Sequence, residues 1–264
     1  MSEATRSRFC WKERGQGEPI IFLPGLLGEL DNWGETLTAL ERDYRPMTLV
    51  LPLFDLRFVD ISPPHLGEYV RRFMDALGLP QAVIGGNSLG GHVAMELALA
   101  HPDRVSGLIL CGASGLFERG FTRGVPHRPG DEWVRGKIQE VFFDPAHVTA
   151  ARVDAVHGIL SDRHSTLRLI HVARAAKRRN IEEMLPHIPV PSLLVWGRDD
   201  RITPPEVAER FHALLPDSEL HLLSACGHAP MLEQPTAFNA VVRDWLERTA
   251  ARRERAGVLV EAAA

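Results

Sequence analysis

Five short runs in the chain are apolar almost from end to end, and each stops at a proline or glycine. They are residues 19–23 (P-I-I-F-L) before Pro24, 47–51 (M-T-L-V-L) before Pro52, 82–85 (A-V-I-G) before Gly86, 107–111 (G-L-I-L-C) before Gly112 and 192–196 (S-L-L-V-W) before Gly197. A strand with one face in water alternates apolar and polar residues, whereas a run apolar at every step is dry on both faces, as in a parallel sheet covered on two sides. A sixth run, 218–223, alternates more and belongs nearer an edge. Between the runs lie helical patterns. Leu66, Val70, Phe73, Met74 and Leu77 form one stripe that stops at Gly78, residues 93–100 are apolar nearly throughout, and 207–215 and 238–246 are amphipathic. This alternation predicts an α/β fold: a mostly parallel central sheet with helices on both faces.

One stretch departs from the rule. Residues 115–186 hold no strand-like run; 133–143 and 148–177 read as helices, broken at Asp144-Pro145 and Ser161-Asp162. The expected organisation is a core over 1–114 and 187–250, a helical cap over 115–186, and a flexible tail over 251–264. The cap has 12 basic against 9 acidic residues, although the whole chain is acidic at −4. That overall charge supplies no field to hold a phosphate backbone, which sets nucleic acid aside as a partner. Cys10, Cys111 and Cys226 show no C-x-x-C spacing, so neither a disulfide framework nor a structural zinc site is expected. The first residues contain no apolar stretch long enough for a leader or a membrane span. Together with the cysteine usage this predicts a cytoplasmic protein.

The sharpest chemical signal is Gly86-Asn87-Ser88-Leu89-Gly90-Gly91, a G-x-S-x-G string between a buried strand and an apolar helix. A serine on such a turn is forced into a strained backbone conformation that lifts its hydroxyl clear of the sheet, and the glycines remove side chains that would collide there. The helix that follows aims free N–H groups and its positive end at the same point. A serine hydroxyl is a weak nucleophile at neutral pH and needs a histidine base oriented by an acid. Asp199 and Asp200 follow the strand at 192–196, at the carboxyl end where sites of open α/β sheets are built. His228 follows the last strand, in Ala225-Cys226-Gly227-His228-Ala229-Pro230. The chain order nucleophile, acid, base is that of one hydrolase architecture among several.

Five ordered blocks carry the same pattern along nearly the whole chain: F-L-P-G-L-L-G at 22–28, G-N-S-L-G-G at 86–91, H-P-D-R-V at 101–105, V-W-G-R-D-D-R-I-T-P at 195–204 and G-H-A-P-M-L-E-Q-P at 227–235. On these the sequence resembles the α/β-hydrolase fold family. The resemblance implies a triad of Ser88, Asp200 and His228, the family's G-x-x-D spacing selecting Asp200 over Asp199. It implies an oxyanion hole made by the amide of Leu89 and that of Leu26, with Leu27 as the fallback. Where the family commonly has H-G before this loop, the chain has Pro24-Gly25, which removes a bracing side chain and keeps the Leu26 amide. No metal and no organic cofactor is required. A carboxylic ester of a small molecule is the first expectation for substrate. An alternative is carbon–carbon bond hydrolysis of a diketo-acid, since relatives that do this share G-N-S-x-G-G and a helical cap; against it, they often have an aromatic residue where Ala229 stands. A second alternative is a ligand-binding, receptor-like protein on the same fold. Dehalogenases and epoxide hydrolases of the family have aspartate in place of Ser88.

Other residues take plainer readings. His157, His164 and His171 recur every seven residues, but the break at Ser161-Asp162 separates them, so a metal site is disfavoured. Cys226 reads as a small buried filler. Arg163, Arg168, Arg174, Arg178 and Arg179 read mainly as a solvated face that could present a cation to a substrate carboxylate. Phe117, Phe121, Trp133, Phe142 and Phe143 are expected as cap core and pocket lining.

Overall fold

The computed structural model describes residues 9–28, 30–55, 61–118, 126 and 129–262. Seven strands form one sheet: β1 (Trp11–Glu13), β2 (Glu18–Leu23), β3 (Tyr44–Leu49), β4 (Ala82–Asn87), β5 (Val105–Cys111), β6 (Ser192–Gly197) and β7 (Ser218–Leu223). Their order is β1-β3-β2-β4-β5-β6-β7. Every pairing is parallel except that of β1 with β3. The helices are α1 (Gly34–Leu40), α2 (Pro63–Ala76), α3 (Leu89–Ala100), α4 (Asp131–Gln139), α5 (Ala150–Ser161), α6 (Arg163–Arg178), α7 (Pro205–Leu214), α8 (Pro230–Glu233) and α9 (Pro235–Ala262).

The expected α/β architecture is present, and the dry strands are the reason. Successive residues of β2 point to opposite faces, and all four of its last residues are fully buried. Ile21 and Leu23 join Ile84, Leu110 and Trp196 under α2, α3 and α7, through Phe73, Val93 and Phe211. Ile20 and Phe22 join Val83, Ile109 and Val195 under α1 and α9, through Trp33, Leu37, Phe238 and Trp245. Each such side chain removed from water contributes about 1.5–3 kcal/mol, so both faces must be covered for the sheet to hold. β7, with every residue half-buried, lies at the edge.

Three elements escape the sequence reading, among them the four-residue α8 after His228. β1 is three residues of mixed polarity, too short to show a period. α1 is seven residues and is held by Thr36, Leu37 and Leu40 packing inward. At the end of the chain, where a tail is expected from residue 251, α9 continues as helical backbone through Ala262. Ion pairs fasten α9 to the sheet, with Arg248 on Glu219 at 2.6 Å, Arg252 on Asp217 at 2.9 Å and Arg253 on Glu18 at 2.8 Å. Among the described residues, no helix is long and apolar enough to cross a membrane.

The described residues between β5 and β6 contain no strand. α4, α5 and α6 stand there, and the break at Ser161-Asp162 is real: Asp162 accepts from Ser165 N at 2.7 Å and so starts α6 afresh. Val134, Ile138, Phe142, Val153, Leu160 and Leu169 of this segment join the core on the α1/α9 face.

Candidate active site

Ser88 sits between β4 and α3 with φ 53° and ψ −117°. A positive φ in a residue with a Cβ is strained, and only tight surroundings maintain it. The surroundings here are glycines. A Cβ on Gly90 would lie 2.2 Å from Leu23 O, so α3 can close on the end of β2 only without one. Ser88 O accepts from both His92 N and Ser114 N, at 3.2 and 3.1 Å, which ties the turn to α3 and to the loop after β5. Gly25 lies against it: a Cβ there would be 3.3 Å from Ser88 Cβ. Leu26 and Leu27 face the same cavity as Ser88. The amide of Gly28 is committed to Gly25 O at 3.1 Å, which leaves the amides of Leu26 and Leu27 as the loop's candidates for an oxyanion.

His228 arrives from the loop after β7 and is 5% exposed; Asp200, from the loop after β6, is 3% exposed. Asp200 Oδ2 and His228 Nδ1 are 2.8 Å apart. The carboxylate has little freedom, because Oδ1 accepts from Ile202 N at 2.8 Å and Thr203 N at 2.9 Å while Oδ2 also accepts from Thr203 Oγ1 at 2.9 Å. Charge-assisted bonds of this kind fix a side chain's orientation. Asp199, its neighbour, points to solvent. The histidine's backbone is pinned as well: its N donates to Val141 O at 2.7 Å, and Asn87 Nδ2 donates to His228 O at 2.9 Å. The residue before Ser88 thus holds the loop that carries His228. Glu233 accepts from Gly227 N and Asp144 N, at 2.6 and 2.7 Å, and so fastens the same loop to the helical segment.

Ser88, Leu89 and His228 open into one cavity of about 400 Å³, lined also by Leu26, Met231, Ala229, Ile138, Phe142 and Val156. Arg152, Arg174 and Lys177 line it as cations, and Asp31 and Glu118 as carboxylates, with Asp31 paired to Lys12. Arg152 is held in place, with Nη1 donating to His147 O at 2.7 Å and the guanidinium 5.0 Å above the Phe142 ring. Arg174 and Lys177 stand exposed at the rim on one side of α6. Burial pushes the Glu118 carboxyl above its ordinary value, against the pull of His228 and Lys177.

Of the five residues expected from sequence, Leu26, Ser88, Leu89 and His228 line one cavity, and Asp200 is joined to it through His228 Nδ1. Of the arginines, Arg174 reaches the cavity and Arg179 is turned away onto Glu96 at 2.6 Å. The aromatic expectation needs correction: Phe142 is buried and lines the cavity, but Phe117 and Phe143 are 57% and 48% exposed. Trp133 is half-buried against the core, and Phe121 lies outside the described residues. A helix in this segment has one dry stripe, and Phe143 follows the end of α4, where the chain turns outward. His157 pairs with Asp131 at 3.0 Å. Cys226 is fully buried, and burial raises its thiol to about 12. Thr203, Glu118, Arg152 and Lys177 were not singled out in the sequence; only the block containing Thr203 offered a signal, its place three residues after Asp200.

A model of the alpha/beta hydrolase family matches residues 20–241, which takes in every strand from β3 to β7 and all five site residues. The chain belongs to the alpha/beta hydrolase family. A curated relative, a 2-hydroxy-6-oxononadienedioate/2-hydroxy-6-oxononatrienedioate hydrolase of Pseudomonas putida, is 30% identical and covers 94% of this chain and 98% of its own. Among solved structures, an alpha/beta hydrolase enzyme from the metagenome of sediments of the Mar Chica lagoon, Morocco, is 32% identical with a TM-score of 0.75, over 91% of this chain and 95% of that one. The meta-cleavage product hydrolase of Pseudomonas fluorescens IP01 is 25% identical with a TM-score of 0.80, over 91% and 94%. This alpha/beta hydrolase is thus a hydrolytic enzyme, similar to one named as a 2-hydroxy-6-oxononadienedioate/2-hydroxy-6-oxononatrienedioate hydrolase, to one named as a meta-cleavage product hydrolase and to one named only by its fold.

Proposed function

We propose that the enzyme cleaves a small carbonyl substrate bearing an anionic group, with Ser88 as nucleophile, His228 as general base and acid, and Asp200 as the group that orients the imidazole. The observation that carries this reading is the shared cavity, a largely apolar space lined by Ser88 and His228 in which the cations Arg152, Arg174 and Lys177 outnumber the carboxylates Asp31 and Glu118. His228 takes the proton of Ser88 as its oxygen adds to the carbonyl carbon. The amides of Leu89 and Leu26 receive the oxyanion, and Asp200 favours the charged imidazole. The tetrahedral adduct then expels its leaving group, which takes the proton from His228. Water repeats the attack on the acyl-serine and returns the hydroxyl to Ser88.

The leaving group separates two readings. Sequence alone puts a carboxylic ester first. The named relatives move the weight to carbon–carbon cleavage of a diketo-acid, and the cation-rimmed cavity supports an acid. A carbon leaving group departs only if its charge is delocalised onto a neighbouring carbonyl, a condition that a diketone-type acid meets. Ester cleavage keeps one specific observation in its favour: Ala229, buried beside His228, where relatives of the other group often carry an aromatic ring. Residues 115–186 serve in either case as the cap that walls the site.

The deciding assay sets a ring-fission diketo-acid against p-nitrophenyl esters on the purified enzyme. The expected kcat/KM is at least about tenfold higher on the diketo-acid, and the opposite order returns the ester reading to first place. Ser88→Ala should remove on the order of 10⁴-fold or more of either activity, together with labelling by a fluorophosphonate. Labelling at another residue overturns the site.

A further inference from the structure

Glu96 is a carboxylate with almost no water around it, 4% exposed on α3 two turns beyond Ser88. Its charge is met from another element. Arg179, the residue at which α6 ends, donates from Nε to Glu96 Oε1 at 2.6 Å and from Nη2 to Oε2 at 3.2 Å. Such a two-point fork fixes orientation as well as distance. The same Nη2 lies 3.4 Å from Met184 Sδ. The other ionisable group facing Glu96 is His92, one turn earlier on α3, whose Nε2 is 3.7 Å from Oε1 and whose burial holds the imidazole below its ordinary range. Burial pushes the Glu96 carboxyl up, and His92 and Arg179 together more than reverse it, so it stays below the usual carboxylate range. Arg179 is then the cation that balances this charge.

The anchors of the pair give it meaning. α3 starts at Ser88, and α6 brings Arg174 and Lys177 to the cavity rim a few residues before Arg179. Where the chain passes between the sheet and the helical segment, Ile181 N donates to Gly115 O at 2.9 Å and Asn180 Nδ2 to Leu116 O at 3.3 Å. Glu96 and Arg179 add a charged link from this crossing to the helix of the nucleophile. Apolar side chains of the same volume would hold such a crossing at least as firmly as a buried ion pair. What the fork supplies is a defined direction for the end of α6.

We propose that Glu96 is a positioning residue: by gripping Arg179 it sets the rim cations Arg174 and Lys177 at a fixed distance from Ser88, so that a substrate anion held at the rim presents its carbonyl to the nucleophile. This rests on the reading of Ser88 as nucleophile and of the rim as the anion's seat. The test compares wild type with Glu96→Gln and Arg179→Lys on two substrates that share a scissile group, one with a carboxylate and one without. Amide hydrogen exchange across 163–178 is measured on the same proteins.

The ratio of KM for the anionic substrate to KM for the neutral one should rise about tenfold in Glu96→Gln, since small displacements of a positioned group have large kinetic effects. Exchange in α6 should quicken while the sheet exchanges as before. Arg179→Lys keeps the charge without the fork and should move the ratio the same way, so it carries the comparison should Glu96→Gln not fold. Equal changes on both substrates, or a lower Tm with unaltered exchange in α6, assign the pair to stability alone and overturn the proposal. A variant with Arg174→Ala and Lys177→Ala tells the two readings apart. If it leaves the anionic KM unchanged, the rim reading fails and the role of Glu96 falls with it; if it raises that KM while Glu96→Gln does not, the rim stands and only the tether is overturned.

Discussion

Ser88 holds a conformation that a serine adopts only under constraint, with φ 53°. Strain of this kind is worth about 1–3 kcal/mol and persists because Gly86, Gly90 and the end of β2 leave the turn no alternative. A glycine at this position would be free of it. Ser88→Gly should therefore abolish turnover while raising the stability of the fold by about 1 kcal/mol in urea denaturation. A destabilised Ser88→Gly would show that the backbone there is relaxed. Glu118 sets a second expectation, because its carboxyl shares the cavity with Arg152, Arg174, Lys177 and His228 and titrates above its ordinary value through burial. As pH falls through that raised value the carboxyl becomes neutral and the cavity more positive, so KM for an anionic substrate should fall on the acid side. Glu118→Gln should lower that KM about threefold or more at pH 8 and flatten its pH dependence, with no such change for a neutral ester. An unaltered pH profile of KM would remove Glu118 from the binding of charge.

At the scale of the element, the contact between α3 and β2 is one where a single methyl group has no room. A Cβ at Gly90 would sit 2.2 Å from Leu23 O and 2.8 Å from Pro24 O, with backbone on both sides and nothing flexible to yield. Gly90→Ala should cost more than about 2 kcal/mol and depress activity with it, because α3 and the loop at 24–28 both border the cavity. Gly136, inside α4, is the contrast: nothing lies within 4 Å of a Cβ built there. Gly136→Ala should stabilise the helix by about 0.5–1 kcal/mol. Urea midpoints of the two variants moving in the same direction would contradict this account of which glycines are structural. The G-x-S-x-G string already signals close backbone approach at Gly90, while the freedom of Gly136 is visible only once its surroundings are.

Across the whole molecule, several carboxylates are held below their ordinary values by arginines. Hydrogen bonds from Arg71 bring Glu68 to about 2, Arg104 lowers Asp75 and Arg248 lowers Glu219. A carboxylate whose folded value is depressed contributes stability that is present above its unfolded value and is lost as pH falls through the folded one. For Glu68 that window runs from 4.5 down to about 2. Glu118 works in the opposite sense, since its ionised form is the disfavoured one and protonation relieves the fold. These pairs are partly exposed and screened, so each contributes modestly. The expected thermal midpoint falls progressively below about pH 4.5, where the depressed carboxylates protonate, whereas Glu118 acts only above 4.5 and adds a small rise as pH falls toward that value, which Glu118→Gln removes. A midpoint unchanged down to pH 3 would show that the pairs add nothing. This redistribution joins residues far apart in sequence, as Arg248 and Glu219 are.

Local chemistry is written in order along the chain, and so the sequence by itself determined the dry strands, the turn at Ser88 with its glycines, and the arrival of Asp200 and His228 from two later loops. A run that is apolar at every residue must be covered on all sides, and when it is five residues long and stops at proline or glycine it fits a buried strand better than a helix, while the spacing of glycines around a serine is a statement about backbone clearance. Tertiary structure alone decided which side chains share the cavity. Arg174 and Arg179 lie on the same amphipathic helix, yet one reaches the rim and the other the buried Glu96 of α3. That choice is set by how α6 is rotated and where it ends against the sheet, which is a property of packing between elements, and such packing leaves no period or motif in the residues that it brings together.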